Sequence, residues 1–173
     1  MKAPRQMRGV RPLTDRAREA LFNILTPRIA EATFLDLFAG TGAVGIEALS
    51  RGAKIAFFVE LNRAVVNLIR QNLELTKLTA EAEVYNLDVL KALAIFDKQQ
   101  ASFDLVYIGA PYDNPILTKV LSKISNVSLV KPGGIMIVEH RKQSSLEPQY
   151  GQLALFREAR YGETALAFYK GKS

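Results

Sequence analysis

The chain has no cysteine and a single histidine, His140, among its 173 residues. Without thiols there is no disulfide, no thiolate zinc site and no cysteine nucleophile, which fits a protein of the reducing cytoplasm. One imidazole cannot build a multi-histidine metal site, so no metal is expected. No apolar run reaches the ~20 residues of a membrane span, and the N-terminus carries charges where a signal peptide would carry an apolar core. No membrane partner is expected either. Internal repeats, low-complexity tracts and a recognisable linker are also missing. The length suits one domain over residues 1–173, a monomer built on a sheet of about seven strands.

What is present is unevenly placed. The net charge is +6, and residues 1–28 hold seven arginines and lysines against two acids. Residues 1–30 therefore read as a basic arm and helix, with Arg5, Arg8, Arg11 and Arg18 placed to neutralise phosphates. The plainer alternative is a solvated tail. Residues 141–173 carry six basic side chains against three glutamates, so the other end of the chain is basic too. A polyanionic substrate accounts for both ends.

The most informative stretch runs from Leu35 to Ala48, L-D-L-F-A-G-T-G-A-V-G-I-E-A, which joins a buried strand to a helix through three glycines. Gly40 and Gly42 let the backbone turn sharply beside a ligand, and Gly45 lets the helix pack closely on the sheet. The free amides of that helix favour a carboxylate or phosphate. Gly40-x-Gly42-x-x-Gly45 alone also fits a dinucleotide loop. Asp36 separates the two readings. A carboxylate at the end of the first strand would repel a pyrophosphate but attract the ammonium and sulfonium of S-adenosylmethionine. Glu60, ending the second strand, can accept from ribose hydroxyls of either cofactor. Asp88, after the third, can meet an adenine amino group. The structural alternative is that Asp36 caps the glycine loop and Asp88 caps a helix.

Strands and helices alternate along the rest. Helices are expected at 14–30, 42–51, 62–76, 88–96 and 114–125, and strands at 33–38, 53–60, 81–87, 103–108 and 135–139. Lys131-Pro132-Gly133-Gly134 reads as a turn, and 153–156 with 165–169 as a closing strand pair. This is an α/β pattern: a doubly wound, mostly parallel, Rossmann-like sheet with helices on both faces and its ligand at the carboxyl ends of the strands.

A second chemical site follows the fourth strand at Gly109-Ala110-Pro111-Tyr112. Methyltransferases that modify exocyclic amino groups of bases carry Asp or Asn, Pro, Pro and an aromatic there. An aromatic amine is a poor nucleophile, and an acceptor on its hydrogens helps it attack. The aromatic ring stacks on the extruded base. Here Pro111 and Tyr112 are present, but Gly109 replaces the acid and Ala110 the first proline. Backbone carbonyls of Gly109 and Ala110, or the neighbouring Asp113, are the expected substitutes. Methylation at C5 of a pyrimidine, which normally needs a cysteine to add at C6, is excluded.

Two long segments now carry a resemblance: R-P-L-T-D-R-A-R-E-A-L-F-N-I-L from Arg11 to Leu25, and L-D-L-F-A-G-T-G-A-V-G-I-E-A-L-S-R-G-A from Leu35 to Ala53. The chain resembles the RsmD family of bacterial 16S ribosomal RNA guanine-N2 methyltransferases over nearly its whole length. The resemblance implies a class I methyltransferase fold, S-adenosyl-L-methionine as cofactor with S-adenosyl-L-homocysteine as product, and 16S ribosomal RNA or the small ribosomal subunit as partner. It also implies that Asp36, Gly40, Gly42, Glu60 and Asp88 bind the cofactor beside Phe38, Ala39, Thr41, Leu61 and Val89. Thr14 and Asn23 would lie near its methionine end, Tyr112 would face the guanine, and the basic arm the RNA. A further basic strand or hairpin is usual in the family ahead of the position of Met1.

Three functions stay open: an RNA guanine-N2 methyltransferase, a catalytically degenerate rRNA-binding relative, and an NAD-dependent oxidoreductase. The first-helix signature and the strand-end acids favour the first, Gly109 the second, and the glycines with Glu60 alone the third.

Overall fold

The computed structural model describes Met1 and residues 12–171. Arg5, Arg8 and Arg11 lie outside the described residues.

The chain begins with α1 (Asp15–Ile29), followed by β1 (Thr33–Leu37), α2 (Ala43–Ser50), β2 (Ile55–Val59) and α3 (Arg63–Thr76). A single 3₁₀ turn at Thr79–Glu81 leads into β3 (Ala82–Tyr85), α4 (Val89–Lys98), β4 (Phe103–Ile108), α5 (Ile116–Ile124) and β5 (Val130–Arg141). The chain closes with β6 (Gln149–Tyr150), β7 (Leu153–Tyr161) and β8 (Thr164–Gly171). These strands form one sheet in the order β3-β2-β1-β4-β5-β8-β7-β6. The first five are mutually parallel, while β8, β7 and β6 run antiparallel to their neighbours.

Side-chain alternation along the central strands builds two cores. Phe34, Phe58, Leu105, Tyr107 and Ile137 point to the face covered by α1, α2 and α3. Leu35, Val59, Val106, Ile108 and Val138 point to the face covered by α4 and α5. Burial on both sides explains why these strands read as nearly unbroken apolar runs. On the first face, α1 contributes Ala17, Leu21, Phe22, Leu25 and Ile29, one apolar stripe at helical spacing.

The sheet has eight strands where about seven were expected. The extra one, β6, spans two residues, too short to leave a period-two pattern. The expected turn at Lys131-Pro132-Gly133-Gly134 lies inside β5, which starts at Val130. Val130 pairs with Phe103 and Ile135 with Leu105, so the register slips there and the extra residues bulge out, with Gly133 at φ 75°. The bulge is tied down from both sides. Arg28 donates to the Gly133 carbonyl at 3.0 Å, and Lys131 reaches the Asp104 carboxylate at 3.0 Å.

Asp104 also accepts from the Thr33 N–H and hydroxyl, each at 2.8 Å, and so joins β1 to β4 at their amino ends, opposite the carboxyl ends. Partial burial pushes its carboxyl up, but the bonds from Thr33 and Lys131 outweigh that and hold it below the ordinary range. A lowered folded pKa contributes stability above the unfolded value that is lost as pH falls through the folded one. Asp104→Ala is expected to cost about 1 kcal/mol at neutral pH, allowing for the exposure of the pair. Urea titrations should find the difference shrinking as the pH is lowered below the ordinary carboxylate range.

Candidate active site

At the carboxyl end of β1 the chain turns through Phe38-Ala39-Gly40-Thr41-Gly42 into α2. Phe38, Gly40 and Gly42 all have positive φ, at 63°, 57° and 80°. A phenylalanine in that region is strained by about 1–3 kcal/mol, a feature typical of ligand loops. The loop is braced from outside by Asn72 of α3, whose buried amide donates to the Thr41 carbonyl at 3.0 Å.

Two carboxylates hold this loop from beneath. Asp36 is 1 % exposed and accepts from the Gly45 N–H at 3.1 Å. Its burial pushes the carboxyl up to about 8; the Gly45 bond opposes the shift, and the charges of Glu60 and Glu139 add to it. Glu60 follows β2, where one oxygen accepts from Gly40 N–H at 3.0 Å and the other from Asn62 N–H at 2.9 Å. Asp88 caps α4, accepting from Leu90 N–H at 2.9 Å and Lys91 N–H at 3.3 Å. Both structural alternatives foreseen for Asp36 and Asp88 are thus present, and the same two residues also line a ligand-sized space.

That space is a cavity of about 470 Å³ over the strand ends, within the range of small-molecule sites. Asp36, Phe38, Ala39, Gly40, Thr41, Glu60, Leu61, Asp88 and Val89 all line it, as do Gly109, Ala110, Pro111 and Tyr112. The glycine loop and the motif after β4 are therefore two walls of one cavity. Its lining among the described residues contains four carboxylates, Asp36, Glu60, Asp88 and Glu139, and no lysine, arginine or histidine.

Several expected site residues lie elsewhere. Thr14 caps α1, its hydroxyl accepting from Ala17 N–H at 3.3 Å, and Asn23 is on the exposed side of the same helix. Neither lines the cavity, nor does Gly42, the residue before α2; Pro12 and Leu13 do. Asp113, expected as a substitute acceptor, is also outside the lining. Its side chain is 70 % exposed and bound to Arg141 at 2.7 Å, on a backbone with a positive φ of 58°. Arg18, expected to meet RNA, is held by Glu47 at 2.7 Å and Asp15 at 3.1 Å, an ion-pair bridge between α1 and α2. His140 is buried on the α4 and α5 side of β5, 3.7 Å from the Glu158 carboxylate, and takes no part in the cavity.

The residue that sequence reasoning passed over is Glu139. It is an acid at the carboxyl end of the apolar run of β5, as Asp36 is an acid near the carboxyl end of β1, and that shared position is the signal that could have found it. It is 7 % exposed and accepts from both neighbouring tyrosines: Tyr107 of β4, in a short bond, and Tyr112, at 2.7 Å. Burial and the adjacent Glu139 charge raise the Tyr107 pKa well above its ordinary value, so Tyr107 keeps its proton and donates. The Tyr112 hydroxyl also lies 2.9 Å from Thr164 of β8. Arg141 covers part of the Tyr112 ring at 5.3 Å. Tyr112, expected to stack on a base, is therefore anchored at its hydroxyl end to the sheet.

A parallel sheet in this order, closed by antiparallel strands, with a glycine loop after β1 and acids at the strand ends, defines the class I methyltransferase fold. A family model described as conserved hypothetical protein 95 matches residues 1–170, and the chain belongs to that family, the RsmD family. Ribosomal RNA small subunit methyltransferase D of Haemophilus influenzae is 39% identical over 142 residues, covering 80% of this chain and 72% of the relative. Its namesake in Escherichia coli is 33% identical over 162 residues, covering 94% and 80%. Among solved structures, a hypothetical protein of Thermus thermophilus superposes with a TM-score of 0.84 at 32% identity, covering 98% of this chain and 92% of that one.

Proposed function

We propose that the protein transfers the methyl group of S-adenosylmethionine to the exocyclic N2 amino group of a guanine in 16S ribosomal RNA, releasing S-adenosyl-L-homocysteine. The observation that carries this reading is the acidic character of the cavity: four carboxyl groups and no basic side chain among its described lining. A pyrophosphate would be repelled there, whereas a cofactor bearing an ammonium and a sulfonium is attracted. That disfavours the oxidoreductase reading.

The chain's own residues divide the work. Asp36 offers a buried negative partner for a cationic amino acid, and Glu60 stands at the rim where hydroxyl groups can bind. The glycine loop brings backbone close to the cofactor. The Gly109-Ala110-Pro111-Tyr112 wall presents carbonyls and an aromatic ring on the side from which a base would enter. The bound cofactor supplies the electrophilic methyl group. The choice of small-subunit RNA follows the relatives' names, that of guanine N2 rests on the resemblance carried by the first-helix and glycine-loop segments, and the basic ends of the chain suit a polyanion.

The test is methyl transfer from radiolabelled S-adenosylmethionine to small ribosomal subunits of a strain lacking this protein, with wild-type subunits as control and nucleoside analysis of the product. Label in N2-methylguanosine is expected in the deficient subunits alone. No label, with calorimetric cofactor binding intact, would instead assign a degenerate rRNA-binding role.

A further inference from the structure

We infer that Glu139 is the side-chain acceptor for the substrate amino group, standing in from β5 for the acid missing at Gly109. This rests on the methyl-transfer reading and adds a catalytic residue to it. A Cβ built on Gly109 would meet the Glu139 carboxylate at 3.4 Å, the Tyr107 hydroxyl at 3.5 Å and the Tyr107 ring at 3.0 Å. A side chain at position 109 would therefore grow into the space that Glu139 and Tyr107 already fill. Both lie on the cavity wall beside Gly109. The carboxylate has not been lost from this corner of the site; it comes from the adjacent strand, two residues beyond the Tyr107 to Ile137 pairing that joins β4 to β5.

The surroundings suit the role. Each Glu139 oxygen accepts one tyrosine hydroxyl. A carboxylate oxygen has two lone pairs, so both retain capacity for a substrate N–H. The tyrosines fix the orientation of the carboxylate, and a fixed acceptor does not have to reorganise during reaction. In the step itself, the amine nitrogen bonds to the methyl carbon as the carbon–sulfur bond breaks and its electron pair stays on sulfur. The methylated nitrogen, now cationic, passes a proton to Glu139, which returns it to water. Gly109 is then required to be small, because a second carboxylate there would crowd and repel the first.

Steady-state methylation of deficient small subunits, with calorimetry of S-adenosylmethionine and thermal melting alongside, tests this. Glu139→Gln keeps the shape and is expected to lower kcat about 100-fold or more, while KM for subunits, cofactor affinity and melting temperature stay close to wild type. The exchanged pair Glu139→Ala with Gly109→Asp is expected to recover at least about tenfold over Glu139→Ala alone, since the carboxylate returns from the other strand into the vacated space. Wild-type kcat in Glu139→Gln overturns the inference, and so does a loss matched by equal losses of cofactor affinity and melting temperature. If the wild-type protein transfers no methyl group, the methyl-transfer reading fails and this inference falls with it; activity that persists without Glu139 sinks the inference alone.

Discussion

Asp36→Asn is expected to make the unliganded protein more stable at pH 8 and to abolish most of its affinity for S-adenosylmethionine. The two effects have one origin. Asp36 is buried, and its carboxyl is pushed up from 3.8 to about 8, first by desolvation and then by the charges of Glu60 and Glu139, against the Gly45 hydrogen bond. A folded pKa above the unfolded one costs nothing at low pH, where both states are protonated. Stability then falls as pH rises from about 4 to about 8, because the unfolded chain ionises and the folded one resists. Asparagine removes that slope. The gain at pH 8 is of the order of several kcal/mol, with little difference expected at about pH 4. Thermal melts of both proteins at the two pH values measure it. The same substitution deletes the anion proposed to face the cofactor's positive groups, and a drop of about 100-fold in affinity is expected. An unchanged dissociation constant would show that Asp36 serves the loop alone.

Cofactor binding by the wild-type protein should consequently release protons. At pH 7 the free protein holds Asp36 mostly neutral, and a cationic ligand beside it favours the ionised form. Affinity should rise with pH until about pH 8, approaching tenfold per unit well below that value. Calorimetry in two buffers of different ionisation enthalpy reads the protons directly, and the release should vanish in Asp36→Asn.

The parts of the molecule that were legible in the sequence are those whose signal is local. Strands β1, β2 and β4 are largely apolar on both faces, and these three and the edge strand β3 could be placed to within two residues. The glycine loop and the Gly109 motif were found because each is contiguous. What the sequence concealed depends on pairing at a distance. Glu139 gains its meaning from Tyr107, Tyr112 and Thr164, which stand 32 and 27 residues before it and 25 after it. Only the β4-β5-β8 order brings them together. The Lys131-Pro132-Gly133-Gly134 segment has the chemistry of a turn, and nothing local distinguishes a turn from a bulge in a strand whose partner continues. Asp113 was attractive as an acceptor because it adjoins Tyr112. Arg141, far off in sequence, holds its carboxylate outside the cavity. Thr14 lies outside the cavity lining, its hydroxyl serving as the cap of α1.

The contact of α2 with the sheet is where fold and site depend most directly on one another, and Gly45→Ala is expected to damage both. A Cβ at Gly45 would lie 2.4 Å from the nearest ring carbon of Phe58 and 2.7 Å from the next. Phe58 is fully buried in the core beneath α1, α2 and α3, so its ring has little room to yield. Overpacking of this kind costs about 1–3 kcal/mol or more. The better helix propensity of alanine returns about 1 kcal/mol at most. A net loss of about 2 kcal/mol is expected in urea titrations. Relief by lifting α2 from the sheet would stretch the bond from Gly45 N–H to Asp36, the one interaction that opposes the rise of that carboxyl. Asp36 would then ionise less readily, and cofactor affinity should fall although residue 45 itself does not line the cavity. Phe58→Leu, destabilising on its own, should restore part of both losses in the Gly45→Ala background, because the smaller side chain leaves space for the methyl group. A double-mutant cycle measures that coupling. Strict additivity would mean that the helix accommodates alanine without pressing on Phe58, and that the close approach at Gly45 is not what holds the loop over Asp36.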